Sequence, residues 1–529
     1  MIFYRALLIL LLAEMALYGA GRADSTRERR QTLLSTIPRR NIAKGLAFYE
    51  LYRETPEGQE ALKRVVGQLA KRGVVPPEGW SWQGIPHEAV TLMLDLVVRA
   101  GNSERGIQKL PPSARQWIEV LGSSLANRRL KGYGAQSLDT LFVLEPSEID
   151  LARGMFLSHL SRGEMGLDDL ANYEAMLDLI ALQVMSQAGD RASPEALIAA
   201  LNQFIFFDIN VRFPPLSEFA KEIDRYSFLP AVLDSRRGVC LGVSVLYVCV
   251  AQRLGVPVEM ITPPGHIYVR TRRPDGSLLN IETTMRGVHV DSRAYLGIEL
   301  DELHPRSNLE AIGMVHMNQG GVYWQRKEYA RARDEYRHAL RFMKNDPMLL
   351  NVLGYMELLS SEDESARGEG MALLREAKRL GALAGVEIDR LVDDLLDGRC
   401  GIEAIDPCHK QVEERYDELI AHGMKLKELS ECYPEAKCLI FHRAVNELRR
   451  HRIRVALPLL EQYHSLDPSC LTVEYFLSGI YTERQEFTKA WLYLDHALQT
   501  VSERGREVPL PLVKLRRALQ SRAPRALWN

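Results

Sequence analysis

Apolar residues recur at helical spacing through much of the first 204 residues of the chain. Residues 40–130 show this spacing in stretches such as HEAVTLMLDLVVRAG, and three further segments lie between residues 147 and 204. Ser147, Asp168 and Ser193 stand where the N-caps of these three segments are expected. The pattern predicts a layer of helices that packs on another element, and it assigns no chemistry to this part.

From residue 240 the pattern changes. Residues 241–254 are apolar nearly all round, which predicts a buried helix, with Gly238 allowing the turn before it and Gly255 suiting its C-terminal cap. The next stretch, PPGHIYVRTRRPDGSLLNIETT, alternates polar and apolar residues on both sides of the turn sequence RPDGS. A buried helix followed by a β-hairpin is therefore predicted here.

The chain after residue 305 carries a repeat of 34 residues. Ala366 follows Ala332 by 34 residues, and Ala490 follows Ala456 by the same interval. Small residues at this period are typical of stacked helix pairs. The two outer copies fit tetratricopeptide spacing best, the first with Gly320, Tyr323, Tyr329, Ala332, Tyr336 and Ala339, and the last with Leu477, Tyr481, Phe487, Ala490, Leu494 and Ala497.

The N-terminus is predicted to be a secretory signal. Residues 1–23 contain Arg5 before an apolar run from Ala6 to Ala20, and small residues at Gly21 and Ala23 where cleavage would fall. Because Glu14 interrupts the apolar run and arginines follow it, an uncleaved membrane anchor is the alternative. The chain is expected to be exported.

Composition limits the classes of function that the chain can have. The chain of 529 residues has 46% apolar and 26% charged residues, as folded proteins do, and a net charge of −2 without basic runs gives no nucleic-acid surface. Seven cysteines leave at least one thiol unpaired, with Cys400–Cys408 and Cys432–Cys438 as possible local disulfides. His409 and His442 lie near these cysteines, but their spacing fits no standard zinc pattern. No metal site and no cofactor are predicted.

Cys240 is the residue best placed for chemistry. It is predicted at the start of the buried helix, where unpaired N–H groups and the positive end of the helix dipole stabilise a thiolate and an oxyanion. Cys249, inside the apolar run, is predicted to be an inert core thiol. A cysteine nucleophile also needs an imidazole to move the proton and a third group to orient that imidazole.

The hairpin supplies candidates for both roles. A three-residue loop pairs Arg273 with Ser277. In that register His266, at the start of the first strand, lies opposite Thr284, and Glu282 lies diagonally beside it on the same face. The sequence therefore predicts that His266 is the base and Glu282 orients it.

Each of these residues also has a structural interpretation. Asn280 is an alternative orienting residue, farther along the strand, and Glu282 could instead pair with Arg270 or Arg286. A lone cysteine beside an apolar helix is usually a core residue, and a histidine after Pro-Pro-Gly can simply end a turn. The order of cysteine, histidine and acid on helix, strand and strand favours the catalytic arrangement that starts from Cys240.

Four sequence elements recur together in a known family. They are Arg-Gly-x-Cys at 237–240, Arg-Leu-Gly-x-Pro at 253–257, Pro-Gly-His at 264–266 and an acidic residue on the following strand. With YSFLPAVLD just upstream, this stretch resembles the transglutaminase-like superfamily, and within it the bacterial SirB-like branch that often joins this domain to tetratricopeptide repeats. The resemblance covers about residues 147–300 for the domain and 309–505 for the repeats.

This resemblance implies a papain-like fold with Cys240, His266 and Glu282 on the nucleophile, base and orienting positions. Glu282 stands where the family usually has aspartate. The predicted fold is α+β and mostly α, with a helical N-terminal region, a papain- or transglutaminase-like core with a small antiparallel sheet, and a C-terminal α-solenoid of tetratricopeptide repeats. The predicted boundaries are 1–23 (signal peptide or anchor), 24–146 (helical region), 147–305 (transglutaminase-like domain), 306–400 (repeats), 401–435 (helical connector), 436–510 (repeats) and 511–529 (tail).

Two functions are compatible with this sequence. The first is cysteine-dependent amide hydrolysis or acyl transfer on a protein or peptide, with repeats that bind protein. The second is a non-catalytic protein-binding scaffold. In both, the partner is a protein or peptide, and a membrane is involved only if the N-terminal segment is uncleaved. The bacterial resemblance implies a periplasmic or inner-membrane-anchored location.

Overall fold

The computed structural model of the chain describes residues 26–74, 84–98, 109–189, 192–214, 225–299, 303–361, 363–384, 389–412 and 415–525. The predicted signal segment, residues 1–23, lies outside these ranges. Within them, no helix combines the length and the apolar character that crossing a bilayer requires.

The chain forms two compact units. The first comprises the described residues of Met1–Met260 and Tyr268–Val288, and the second those of Ile261–Ile267 and His289–Asn529. The finer domain boundaries given by the sequence stay a prediction.

The first unit is mostly helical, as predicted for the N-terminal region and the segments after residue 147. Its α-helices are α1 (Thr26–Thr36), α2 (Ile42–Leu51), α3 (Pro56–Ala70), α4 (His87–Val98), α5 (Pro112–Leu121), α6 (Leu138–Phe142), α7 (Leu151–Ser161), α8 (Leu167–Ala188), α9 (Pro194–Gln203), α10 (Leu229–Ser235) and α11 (Cys240–Leu254). A π-helical turn, Phe204–Asp208, follows α9. Short 3-10 helices are Gly122–Ser124, Ala126–Arg129, Lys131–Gly134, Pro146–Glu148, Arg225–Ser227 and Thr283–Met285.

One of the three predicted N-caps is confirmed. The Ser193 hydroxyl accepts a hydrogen bond from the third amide of α9 at 3.3 Å. Ser147 does not cap α7, because Asp150 accepts the corresponding amide at 3.1 Å. Asp168 does not cap α8 either, since it lies in the first turn and the helix begins after Gly166. The predictions for these two helices missed because another acceptor or a glycine stood closer to the true helix start.

Helix α11 lies at the centre of the first unit. Its side chains are buried over almost the whole length, and it packs against α8, α10 and the hairpin strand β2 (Tyr268–Arg272). Gly255 ends it with a left-handed φ of +70°, which glycine adopts without strain. The buried helix and its glycine cap are therefore confirmed.

Four short strands form one sheet in the order β3-β2-β1-β4. The other three are β1 (Glu259–Ile261), β3 (Leu278–Ile281) and β4 (Pro305–Arg306). In the antiparallel hairpin Arg270 lies opposite Asn280, and the Arg273 amide donates to the Ser277 carbonyl at 2.8 Å. This is the predicted register.

The second unit consists mainly of helices. They are α12 (Asn308–Gln325), α13 (Tyr329–Leu340), α14 (Pro347–Ser360), α15 (Glu364–Ala384), α16 (Arg390–Leu396), α17 (Ile405–His409), α18 (Tyr416–Cys432), α19 (Lys437–Arg449), α20 (Ile453–Leu466), α21 (Leu471–Glu483), α22 (Phe487–Glu503) and α23 (Leu510–Arg522), with 3-10 turns at Ser292–Ala294 and Ile402–Ala404. Consecutive helices pack as pairs: α12 with α13, α14 with α15, α19 with α20, and α21 with α22.

The contacts inside these pairs repeat at the predicted period. A Cβ atom on Gly320 of α12 would lie 2.5 Å from the Tyr336 ring of α13. Thirty-four residues further on, a Cβ atom on Gly354 would lie 3.1 Å from the Gly370 carbonyl oxygen, so the same two positions touch in the next pair. Gly370 stands where the first copy has Tyr336, and Ala366 is half-buried, whereas Ala332 is fully buried.

The later pairs keep the same interval. Ala444 and Leu460 are fully buried in α19 and α20, and Ser478 and Leu494 occupy the positions 34 residues on, also fully buried. Recurring small or apolar residues at helix contacts allow close approach of each pair. The helix-pair repeat predicted from the sequence is confirmed.

All seven cysteines are described, and all seven are free thiols. Neither suggested local disulfide is present. The Cys438 thiol lies within hydrogen-bond reach of Cys400 and Cys408, whereas Cys432 is exposed at the end of α18. His409, which the sequence set beside these cysteines, uses one ring nitrogen on the Ile405 carbonyl at 2.8 Å and the other on a carboxylate.

Candidate functional site

A tight turn places Cys240 at the first position of α11. Helix α10 ends at Ser235, and Arg236 then adopts a left-handed φ of +56° that turns the chain back. At Gly238 a Cβ atom would lie 2.6 Å from the Val243 side chain, so only glycine fits between this turn and the helix. The Arg-Gly-x-Cys element is thus the turn that delivers the cysteine to the helix start.

The start of α11 presents amide groups beside the cysteine. The Val239 amide donates to the Tyr226 carbonyl at 3.1 Å, and the first bond within the helix runs from the Val243 amide to the Val239 carbonyl at 3.0 Å. Residues 240–242 therefore have no acceptor within the helix for their N–H groups. The Cys240 side chain is partly exposed, which leaves its sulfur beside the positive end of the helix.

The helix start is held close to the upstream motif. A Cβ atom on Gly242 would lie only 2.2 Å from the Tyr226 carbonyl oxygen. The first turn of α11 can approach that backbone only because residue 242 is glycine. The YSFLPAVLD element therefore forms part of the support on which the cysteine-bearing helix rests.

Cys249 differs sharply from Cys240. It lies in the middle of α11 and is fully buried, and burial raises the pKa of its thiol far above the usual value. A buried neutral thiol is a poor nucleophile, in agreement with the predicted core role.

Glu282 is buried directly after β3. Its carboxylate accepts hydrogen bonds from the Thr284 amide at 3.0 Å and the Thr284 hydroxyl at 2.6 Å. Its backbone amide donates to the Val288 carbonyl at 2.9 Å and closes a tight loop. The sequence placed Glu282 on this strand, but β3 ends at Ile281, because Glu282 caps a 3-10 turn.

A second contact joins this loop to α11. The Ser244 hydroxyl, one turn after Cys240, lies 3.0 Å from the Thr283 hydroxyl. The Tyr247 hydroxyl donates to Asn202 at 2.8 Å, and the Asn202 side chain lies against Gly287 in the same loop. The structure thus brings the helix that carries Cys240 together with the loop that carries Glu282.

His266 belongs to the second unit and precedes β2. Its amide donates to the Pro263 carbonyl at 3.1 Å, with Gly265 in a left-handed conformation at φ +70°. Its ring stacks on Tyr295, with centroids 5.8 Å apart and planes 15° from parallel. The sequence expected His266 to open the strand, and this was wrong, because the Pro-Pro-Gly turn delays β2 until Tyr268.

The alternative residues around the hairpin are also located. Asn280 is buried opposite Arg270 in the strand pair. Arg270, named as a possible partner of Glu282, binds Glu259 at 3.0 Å. Arg286 lies over the Phe207 ring at 5.6 Å.

Sequence reasoning missed a buried charge network at the other end of α11. Arg253, the first residue of the Arg-Leu-Gly-x-Pro element, is fully buried and donates from Nε to Asp178 at 2.9 Å. Arg128 binds the other oxygen of the same carboxylate. A charged residue at the end of an apolar run was the available signal, since buried charges are normally paired. This motif therefore anchors α11 on α8.

One region of the chain matches a known protein family. Residues 171–297 match the family model described as the transglutaminase-like superfamily. That interval contains Cys240, His266 and Glu282. Over these residues the chain is similar to the transglutaminase-like superfamily.

Two curated proteins are similar to the chain at low identity. The chain is 26% identical over 205 residues to a UPF0162 protein of Xylella fastidiosa strain Temecula1, which covers 35% of this chain and 64% of the relative. A UPF0162 protein of strain 9a5c is 26% identical over 191 residues, or 32% of this chain and 65% of the relative. The chain thus spans slightly less than two thirds of these relatives.

Two solved structures superpose loosely on the chain. One is menin, described with its binding site for the Mixed Lineage Leukemia protein, at a TM-score of 0.33 and 11% identity over 75% of this chain and 93% of menin. The other is the Cut9–Hcn1 hetero-tetramer of APC/C, at a TM-score of 0.19 and 13% identity. That superposition covers 93% of this chain and 89% of the matched chain. Superpositions this loose define no shared function.

Proposed function

We propose that the chain is a cysteine-dependent enzyme that hydrolyses or transfers the acyl group of an amide in a protein or peptide. The observation that carries this proposal is the placement of a partly exposed Cys240 as the first residue of a buried helix, within the segment that matches the transglutaminase-like family. In the proposed reaction the Cys240 sulfur attacks the amide carbonyl and forms a thioester as the amine leaves.

The helix start supports the nucleophilic role. The N–H groups of residues 240–242 have no acceptor within α11, and the helix dipole favours negative charge beside them. The same groups stabilise the oxyanion of a tetrahedral intermediate, an effect worth roughly 3–4 kcal/mol per donor in other enzymes. The positive end of α11 thus favours both a thiolate at Cys240 and an oxyanion beside it.

The other two roles are carried by His266 and Glu282. In the proposal His266 takes the thiol proton and returns it to the leaving amine, and Glu282 orients the imidazole. Glu282 is itself held by two hydrogen bonds from Thr284, so its carboxylate has a fixed position. Water or a second amine then attacks the thioester and releases Cys240.

The helix pairs of the second unit favour a further role in protein binding. Stacked helix pairs present extended surfaces that bind peptides or helices of other proteins. We propose that these repeats recruit the protein substrate or a regulator. A non-catalytic scaffold is the competing function, and it needs no reactive cysteine. We also propose export through the N-terminal segment, which fractionation of a tagged full-length chain tests.

An acyl-transfer assay distinguishes the two functions. Wild-type chain and the Cys240→Ala variant are incubated with a proteome-derived peptide mixture, with and without a biotinylated primary amine. New peptide termini or biotinylated peptides are then counted by mass spectrometry. Cys432→Ala, which removes an exposed thiol far along the chain, is the matched control.

We expect products from wild type and Cys432→Ala and at least 100-fold fewer from Cys240→Ala, since loss of a nucleophile removes the covalent path. Equal product from wild type and Cys240→Ala would contradict an enzymatic role for this thiol. Protein partners captured equally by wild type and Cys240→Ala, with no product from either, would support the scaffold.

A further inference from the structure

Three side chains from three consecutive helices converge in the second unit. His464 lies on α20, Glu474 on α21 and His496 on α22. One ligand atom from each side chain lies within 4.8 Å of the other two. This group could not be predicted from the sequence, because its residues are 10 and 22 positions apart and match no metal motif.

Glu474 is the centre of the group. Its side chain is fully buried, and its Oε1 atom lies 3.3 Å from His464 Nε2 and in hydrogen-bond contact with His496 Nδ1. Its Oε2 atom is also buried and has no hydrogen-bond partner. A buried carboxylate with an unsatisfied oxygen calls for a cation or a proton.

The three donor groups indicate which cation the site would bind. Two imidazoles and one carboxylate form the donor set that divalent zinc binds, with metal–ligand distances of about 2.0–2.2 Å. In a tetrahedral zinc site such ligand atoms lie roughly 3.3 Å apart, which is also the distance between Glu474 Oε1 and His464 Nε2 here, 3.3 Å. His496 is half exposed, which gives an ion a path from solvent and leaves room for a water as the fourth ligand.

We propose that His464, Glu474 and His496 form a zinc-binding site that joins the last two helix pairs. His464 Nε2, His496 Nδ1 and the Glu474 carboxylate are the protein ligands. Because the ligands come from α20, α21 and α22, a bound ion ties these helices together and stabilises the folded state by mass action.

Zinc titration of the metal-free full-length chain tests the site. Calorimetry with Zn²⁺ gives affinity and stoichiometry, and Co²⁺ as a probe gives visible bands that report four-coordinate geometry. The informative variant is His496→Ala, whose exposed position keeps the fold intact. Gln499→Ala, one turn further along α22 and also exposed, is the matched control.

We expect one zinc ion per chain, a rise in the melting temperature on zinc addition, and four-coordinate Co²⁺ bands. His496→Ala should bind at least tenfold more weakly and lose the Co²⁺ bands, while Gln499→Ala should behave as wild type. Absence of zinc binding, or equal binding by His496→Ala and wild type, would overturn the site. Circular dichroism confirms that the variants are folded, and the cysteine-dependent assay is independent of the outcome.

Discussion

Single residues in this protein take their roles from the backbone around them. Cys240 and Cys249 lie on the same helix, yet one is partly exposed at the first helical position and the other is sealed in the core. The sequence separated them correctly, because a Gly-containing turn before an apolar run marks a helix start. It could not locate the ring of His266, since the Pro-Pro-Gly turn before β2 depends on local backbone geometry.

Glu282 illustrates a second limit at the residue scale. The hairpin register was predicted correctly up to Ile281, but the Glu282 carboxylate caps its own 3-10 turn. Acidic side chains compete with strand hydrogen bonds in this way when a following amide is within reach. The sequence therefore predicted the register of the hairpin and missed where β3 ends.

Glu174 provides a residue-scale prediction about pH. Burial raises the pKa of its carboxyl from 4.5 to about 7, although Arg153 lies 3.1 Å away. Between pH 4.5 and 7 the folded chain therefore holds a proton that the unfolded chain has lost. The unfolding free energy contributed by this group falls as pH rises through that window, by at most about 1.4 kcal/mol per pH unit.

The Glu174→Gln variant should flatten this part of the pH profile. Chemical unfolding at several pH values between 4.5 and 7 measures the difference in unfolding free energy from wild type. The exposed Glu145→Gln is the control and should leave the slope unchanged. A wild-type slope retained by Glu174→Gln would show that this carboxyl does not titrate in the window.

Helices and strands were predicted best where an element has a strong internal pattern. The buried α11, the β2–β3 register and the 34-residue helix pairs all follow from apolar periodicity or turn chemistry. The N-caps of α7 and α8 were missed, because several polar residues near a helix start can serve as acceptors. The pair α14–α15 looked degenerate because Gly370 stands where the first copy has Tyr336.

The close contact between α12 and α13 gives a prediction at the scale of elements. A Cβ atom on Gly320 would overlap the Tyr336 ring at 2.5 Å, whereas on Gly321 it would meet only the Tyr336 hydroxyl at 3.8 Å. Gly320→Ala should therefore destabilise the second unit by about 1–3 kcal/mol through overpacking.

Gly321→Ala should be neutral or stabilising by up to about 1 kcal/mol, because alanine favours the helix and finds ordinary contact distance there. Thermal and denaturant unfolding of both variants measure the difference. Equal stability of Gly320→Ala and Gly321→Ala would show that the helix pair does not depend on close approach at position 320.

For the whole molecule, the mostly helical fold with a small sheet agrees with the expectation from sequence. The buried network of Arg253 and Asp178 was not foreseen, because partners 75 residues apart meet only in the folded chain. The group formed by His464, Glu474 and His496 could not be predicted from the sequence for the same reason. Long-range polar contacts of this kind depend on tertiary packing rather than on local pattern.

The central claim is that α11 makes Cys240 a reactive thiolate, and the pH dependence of alkylation measures this directly. Iodoacetamide modification of the full-length chain is followed at pH 6 and pH 8 by peptide mass spectrometry. Cys432 serves as an internal reference, since it is exposed at the last residue of a helix and Cys240 is the first residue of one. For each thiol the alkylation rate at pH 8 is divided by its rate at pH 6, and this ratio does not depend on how accessible that thiol is to the reagent.

A free cysteine slows by about 100-fold between pH 8 and pH 6, as its thiolate fraction falls. We expect Cys240 to slow by less than about tenfold and by a smaller factor than Cys432, because the helix start stabilises the thiolate. A Cys240 that slows as much as Cys432 would contradict the proposed nucleophile.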